Sequence, residues 1–160
     1  MEDEEHTIWA ITEKGVFRYN EKEDKFTLVR DKDNNPVIAS SLCLWEDGVI
    51  FGGRGSLYKY NYEDHIINLF HTLKPNGKYH ISNLYQWDSR TLLATNRWAK
   101  ALFIDIATGN TRPVPFNSEQ IISLLIDKKG NVWVAHYNQG VSCYDRNGKQ
   151  LQTYHTQNSP

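Results

Sequence analysis

The chain has little of what builds several large classes of protein. Among 160 residues there are two cysteines, Cys43 and Cys143, too few for a disulfide-stapled scaffold or a four-thiolate zinc site. No apolar run reaches the ~18 residues that span a bilayer, and the opening Met1 to Glu5 lacks the basic and apolar parts of a signal peptide. The formal net charge is −1, so no field of one sign draws nucleic acid or an anionic membrane. No G-x-S-x-G, Walker or G-x-G-x-x-G pattern is present, which leaves nucleophile and phosphate chemistry without a foothold. The six histidines lack any paired ligand spacing, and neither metal nor cofactor is expected. Asp31-Lys32-Asp33-Asn34-Asn35 opens like a calcium loop, but Pro36 stands where that loop needs glycine and Leu42 where it needs glutamate, so it reads as a turn. A hydrophobic content of 39% against 23% charged residues excludes a disordered chain and favours one folded domain. The excess lies in aromatics: 5 Trp, 9 Tyr and 6 Phe, side chains that suit pleated sheets and surfaces that stack on planar or sugar-like ligands.

The sequence repeats. Ile8-Trp9-Ala10-Ile11-Thr12 recurs as Val49-Ile50-Phe51-Gly52-Gly53, Thr91-Leu92-Leu93-Ala94-Thr95 and Val132-Trp133-Val134-Ala135-His136, at steps of 41, 42 and 41 residues. Each is followed by a second column: Val16-Phe17-Arg18-Tyr19-Asn20, Leu57-Tyr58-Lys59-Tyr60-Asn61, Ala101-Leu102-Phe103-Ile104-Asp105 and Val141-Ser142-Cys143-Tyr144-Asp145. A third column lies beyond at Phe26, Ile67, Thr111 and Leu151. A leading column precedes three of the units, with Leu42, Leu84 and Leu124 in register. The runs alternate with a period of two and are parted by turn residues, as strands require. Only Ser118 to Ile126 also fits a helix, and the repeat argues for a strand there. Four short strands per unit of ~40–45 residues mark a β-propeller. The expected fold is therefore all-β, a propeller segment of four four-stranded antiparallel blades over residues 8–30, 39–72, 81–115 and 121–155, the first blade lacking its leading strand. A β-sandwich with accidental spacing is the alternative. Trp9, Trp45, Trp87 and Trp133 fall in repeat columns and are expected in the core, with Cys43 and Cys143 as buried free thiols. The column Gly52, Ala94, Ala135 is expected to let neighbouring sheets approach near the hub.

The stretch from Ile122 to Ala135, continuing through Gly140-Val141-Ser142-Cys143-Tyr144-Asp145, resembles a two-component regulator propeller repeat, and the first unit is similar to the same pattern. Units two and three diverge, with Ile50 and Leu92 in place of the tryptophan. The resemblance implies the sensor region of a hybrid two-component receptor, in which propellers precede an immunoglobulin-like domain, a membrane span and a histidine kinase. It also implies a periplasmic location, a polysaccharide-derived oligosaccharide as ligand, and no catalysis in the propeller. The chain then reads as a piece of a longer receptor, reaching the membrane only through its parent. An open arc of four blades leaves two sheet faces unpartnered. The remaining blades of the parent, a second copy in a homodimer, or closure into a small ring would cover them.

In a propeller the loops gather on two flat faces, where residues distant in sequence meet. The loops between the first two columns carry Arg54, then Asn96, Arg97 and Trp98, then His136, Tyr137 and Asn138, and these are the candidate ligand-binding residues. Amide and guanidinium donors beside flat rings suit sugars, whose C–H faces stack and whose hydroxyls bond. Trp98 leads the set because it lies outside every repeat column. Ordinary surface loops would read the same way. A protein-interaction scaffold and a propeller lyase or hydrolase are the rival functions, the latter without a recognisable set of acid and base residues.

Overall fold

β-branched and aromatic residues alternating with polar ones form strands wherever a turn residue permits reversal. The computed structural model describes residues 1–73, 79–96 and 98–155. Within these, fifteen strands form four antiparallel sheets, and none of the described residues is helical. The first sheet holds β1 (Trp9–Thr12), β2 (Gly15–Asn20) and β3 (Lys25–Leu28); the second holds β4 (Ser41–Trp45), β5 (Gly48–Gly52), β6 (Ser56–Asn61) and β7 (Ile67–Thr72). The third comprises β8 (Asn83–Gln86), β9 (Thr91–Thr95), β10 (Leu102–Asp105) and β11 (Thr111–Pro113); the fourth β12 (Ile121–Ile126), β13 (Val132–His136), β14 (Gly140–Tyr144) and β15 (Gln150–Tyr154). Each sheet is a simple up-and-down meander, and β12 occupies the segment that also fitted a helix. The turns after β2, β6, β10 and β14 share one device. Asn20, Asn61, Asp105 and Asp145 each accept a hydrogen bond from a backbone amide two or three residues on, which reverses the chain without a partner strand.

Three hydrophobic clusters join the four sheets in succession. Trp9 and Val16 of the first sheet pack on Val49, Phe51, Tyr60 and Ile67 of the second. Cys43, Trp45 and Ile50 meet Leu84, Leu92, Ala94 and Ile104 of the third. Trp87, Leu93 and Phe103 meet Leu124, Val132, Val134 and Tyr144 of the fourth. Each strand thus sends alternate residues to the sheet before it and the sheet after it, so both faces of an inner sheet are apolar. Among the described residues no cluster joins the first sheet to the fourth. Residues of the leading strands β4, β8 and β12, with Met1, line an open groove of about 570 Å³. Hydrogen bonds cross between them: Asn83 Nδ2 donates to the Ile122 carbonyl at 3.4 Å, and the Leu124 amide donates to Tyr85 Oη at 3.1 Å. This is an open arc of β-propeller blades.

One feature departs from the sequence reading, and a second adds to it. The first is the register of the third sheet. Leu84 pairs with Ala94, whereas Leu42 pairs with Phe51 and Leu124 with Val134. Hence Leu93, not Leu92, is equivalent to Ile50 and Trp133, and Thr95 takes the place assigned to Ala94. The cause is the turn after β8, one residue longer than the turn after β4. Gly52 keeps its expected role, since a Cβ there would lie 2.8 Å from Leu84 Cδ1 and 2.9 Å from Ile81 Cγ2. The second concerns Met1 to Thr7. Glu2 bridges Ile8 antiparallel, and Asp3 accepts bonds from the amides of Glu5 and Thr7 and from Trp9 Nε1 at 2.6 Å. This repeats the fourth sheet, where Ile126 pairs with Val132 and Asp127 accepts from the Lys129 and Asn131 amides and from Trp133 Nε1 at 3.0 Å. The first blade therefore contains the last rung of a leading strand, and an Asp–Trp clamp six residues apart occurs in both terminal blades.

The clamp of the fourth blade titrates in acid. Hydrogen bonds from the Trp133 indole and from Asn131 hold the Asp127 carboxyl at about 2, below its ordinary 3.8. A depressed folded-state value means the stabilisation is complete above pH 3.8 and is lost as pH falls toward 2. Melting temperatures of the wild type and Asp127→Asn between pH 5 and pH 2 should converge as the pH drops; parallel curves would contradict the clamp.

Candidate functional site

Loops after β1, β5, β9 and β13 share one flat face with the connectors that lead into β4, β8 and β12. On that face a groove of about 800 Å³ runs across the second, third and fourth sheets. Trp98, on the loop after β9, and Tyr137, on the loop after β13, line it at 81% and 55% exposure. Ile121 and the exposed Ile122 form its apolar floor, and Ser40, His80, Ser82 and Asn83 supply hydroxyl, imidazole and amide groups. Donors, acceptors and two accessible rings therefore face one concave surface, the chemistry that takes up a polyhydroxylated ligand.

The two rings are positioned by buried neighbours. Asn96 is 5% exposed, and its Oδ1 accepts from the Trp98 amide at 2.7 Å, turning the loop back on itself. The Tyr137 amide donates to the Gln120 carbonyl at 3.0 Å, tying its loop to the connector before β12. Lys100 and Glu119 approach to 3.6 Å and link the loop of the third sheet to that same connector. Tyr79 Oη donates to the carbonyls of Ala94 and Lys100, and burial pushes its phenol well above the ordinary 10.0, so it stays a neutral donor.

The candidates read from the sequence separate into distinct roles. Trp98 and Tyr137 come together in the groove. Arg54 is exposed and pairs through its backbone with His80, beside it. Asn138 is exposed on the loop of Tyr137 but does not line the groove. Asn96 and His136, expected at the surface, are buried instead, each 5% exposed. His136 is the last residue of β13, where the alternation of the strand turns it toward the third sheet. Its Nδ1 donates to the Glu119 carbonyl at 3.0 Å. Arg97 lies outside the described residues. Ser40, His80 and Ser82 were missed because they sit on connectors between units, where the repeat columns end, and Asn83 because, as the first residue of β8, it reads as part of a strand column.

The tryptophans and thiols also divide. Trp9, Trp45 and Trp87 are buried, at 2%, 6% and 8% exposure, whereas Trp133 is half-buried, since among the described residues no further sheet packs on its side of the fourth sheet. Cys43 and Cys143 are buried and free, and burial pushes the Cys43 thiol up to about 11, too high to react as thiolate at neutral pH. The Asp31 carboxylate is taken up by the amides of Asp33 and Asn35, the turn expected there.

Comparison with known proteins places this geometry. Residues 115–138 match the two component regulator propeller family, a span that takes in β12, β13 and Tyr137. The extracellular domain of BT4673 from B. thetaiotaomicron, designated a hybrid two component system, superposes with a TM-score of 0.68 at 19% identity, over 93% of this chain and 21% of that one. The corresponding domain of BT3049 from B. thetaiotaomicron, with the same designation, gives 0.66 at 18% identity, over 98% of this chain and 24% of that one. A computationally designed protein, Ika8, gives 0.64 at 11% identity, over 92% of this chain and 46% of that one. This chain spans about a fifth to a quarter of the two natural domains. No curated protein matches it. The chain is thus similar to a two component regulator propeller repeat over β12 and β13 of its fourth blade, within an open β-propeller arc.

Proposed function

We propose that this chain is a sensor segment of a hybrid two-component receptor, on the extracytoplasmic side of the membrane, and that the groove between Trp98 and Tyr137 takes an oligosaccharide released from a polysaccharide. The match of the fourth blade and the likeness to extracellular receptor domains support the sensor role. The observation that carries the ligand is the pair of accessible rings across one groove, with serine, histidine and asparagine side chains between them. Rings stack on the C–H faces of a sugar while amides and hydroxyls bond its hydroxyl groups. The role is binding, with no chemical step assigned to any residue. Ligand that bridges loops of adjacent blades favours one arrangement of them over another, and that bias is the signal.

Calorimetry against a panel of polysaccharide-derived oligosaccharides tests the reading. At least one should bind, and Trp98→Ala should weaken it at least about tenfold, the loss of one stacked ring. A panel without any binder, or equal affinity in the variant, would contradict it. Capture of a protein on the same face, abolished by Trp98→Ala, would favour the scaffold alternative.

A further inference from the structure

We propose that the cleft between the first and second sheets binds a small organic acid with an apolar body, the Arg18 guanidinium taking its carboxylate. The inference does not rest on the sugar-binding reading. This cleft shares no lining residue with the groove of Trp98 and Tyr137, and its two walls are consecutive blades of the chain.

Arg18 occupies a repeat position whose charge is otherwise absent or met. Trp9 pairs with Arg18, Ile50 with Lys59, Leu93 with Phe103 and Trp133 with Cys143. Phe103 and Cys143 are neutral and buried, and Lys59 Nζ donates to Asp47 at 2.7 Å. Arg18 differs. Among the described residues no carboxylate comes within 4.0 Å of its guanidinium, which lies instead over the rings of Trp9 and Tyr60.

The carboxylates nearby are engaged elsewhere. Glu5 lies 3.7 Å from His65 Nδ1, Asp31 accepts from the amides of Asp33 and Asn35, and Asp64 accepts from the Ile66 amide. Arg30, one of whose Nη atoms donates to the Asn34 carbonyl, and Lys32 add positive charge to the lining, where Asp31 is the one carboxylate.

The remaining walls are apolar. Leu28 and Val29 face Ile66 and Ile67 across a cleft of about 420 Å³, a volume that suits a small ligand. Two rings hold the guanidinium in one orientation, so its planar fork is ready for the two oxygens of a carboxylate. Apolar walls reduce the screening of that pair by water and take up the body of the acid. Ile66, 45% exposed, marks the side from which it enters.

Nitrogen-15 indole spectra of the protein, titrated with phenylacetate and with its neutral analogue phenylacetamide at one pH, test the site. Phenylacetate should move the Trp9 resonance saturably and leave Trp98 in place, and the amide should bind at least about tenfold more weakly. Arg18 is exposed, so Arg18→Gln should keep the wild-type circular dichroism and weaken the acid by a similar factor. Should that variant fail to fold, the comparison of acid and amide on the wild type still decides. Equal binding of acid and amide would overturn the proposal, as would wild-type affinity in a folded Arg18→Gln. So would a Trp9 resonance that does not move up to about 10 mM acid, or movement of Trp98 in its place.

Discussion

Replacing Trp9 with alanine should cost about 3–5 kcal/mol of folding stability, the range for removing a large buried aromatic. Trp9 is 2% exposed and touches Phe51 and Tyr60 of the neighbouring sheet. Its removal opens a cavity in the cluster that joins the first two blades and leaves the Asp3 carboxylate without its indole donor. Arg18, whose guanidinium lies over Trp9 and Tyr60 at 5.9 and 5.7 Å, loses half its aromatic support. The equivalent Trp133→Ala should cost clearly less, because that ring is only half-buried and rests mainly on Tyr154. Urea melts of both variants check the pair; equal losses would mean that Trp9 is not the joint described above.

The second large effect is expected at Gly140. Its φ is +76°, and a Cβ there would lie 2.0 Å from the Tyr154 carbonyl oxygen. Alanine would carry the left-handed penalty and also push β15 away from β14, together about 2–4 kcal/mol. The change falls where β14 leaves the loop of Tyr137, so oligosaccharide affinity should drop along with stability. A Gly140→Ala variant with a wild-type melt would contradict the close approach of the two strands.

The architecture was legible because a repeat advertises itself four times. Strand order, the turn after each third-position strand and the burial of Trp9, Trp45 and Trp87 follow from columns of like residues at a period near 41. The slip in the third unit was not legible: Leu92 and Leu93 are both leucines, and only the turn length decides which one faces forward. Asp3 and Trp9 carry the spacing of Asp127 and Trp133, so the start of the first blade was readable from that pair, though Met1 to Thr7 resemble a charged tail in composition. The site was half legible. Trp98 stood out as an aromatic outside the core columns and Tyr137 lay among the loop candidates, but His136 takes its direction from the alternation of β13 rather than from its nearness to a loop. His80, Ser82 and Ser40 come from connectors whose path depends on how consecutive sheets stack, a tertiary effect that local pattern does not encode.

Labelling the tryptophan indoles with nitrogen-15 offers the most direct test, since the chain has 5 tryptophans and four of them sit in repeat columns. On titration with an oligosaccharide that binds, the Trp98 indole resonance should move strongly while those of Trp9, Trp45 and Trp87 stay in place. Movement of the core indoles without Trp98, or of Trp133 alone, would place the ligand elsewhere and contradict the groove as the site.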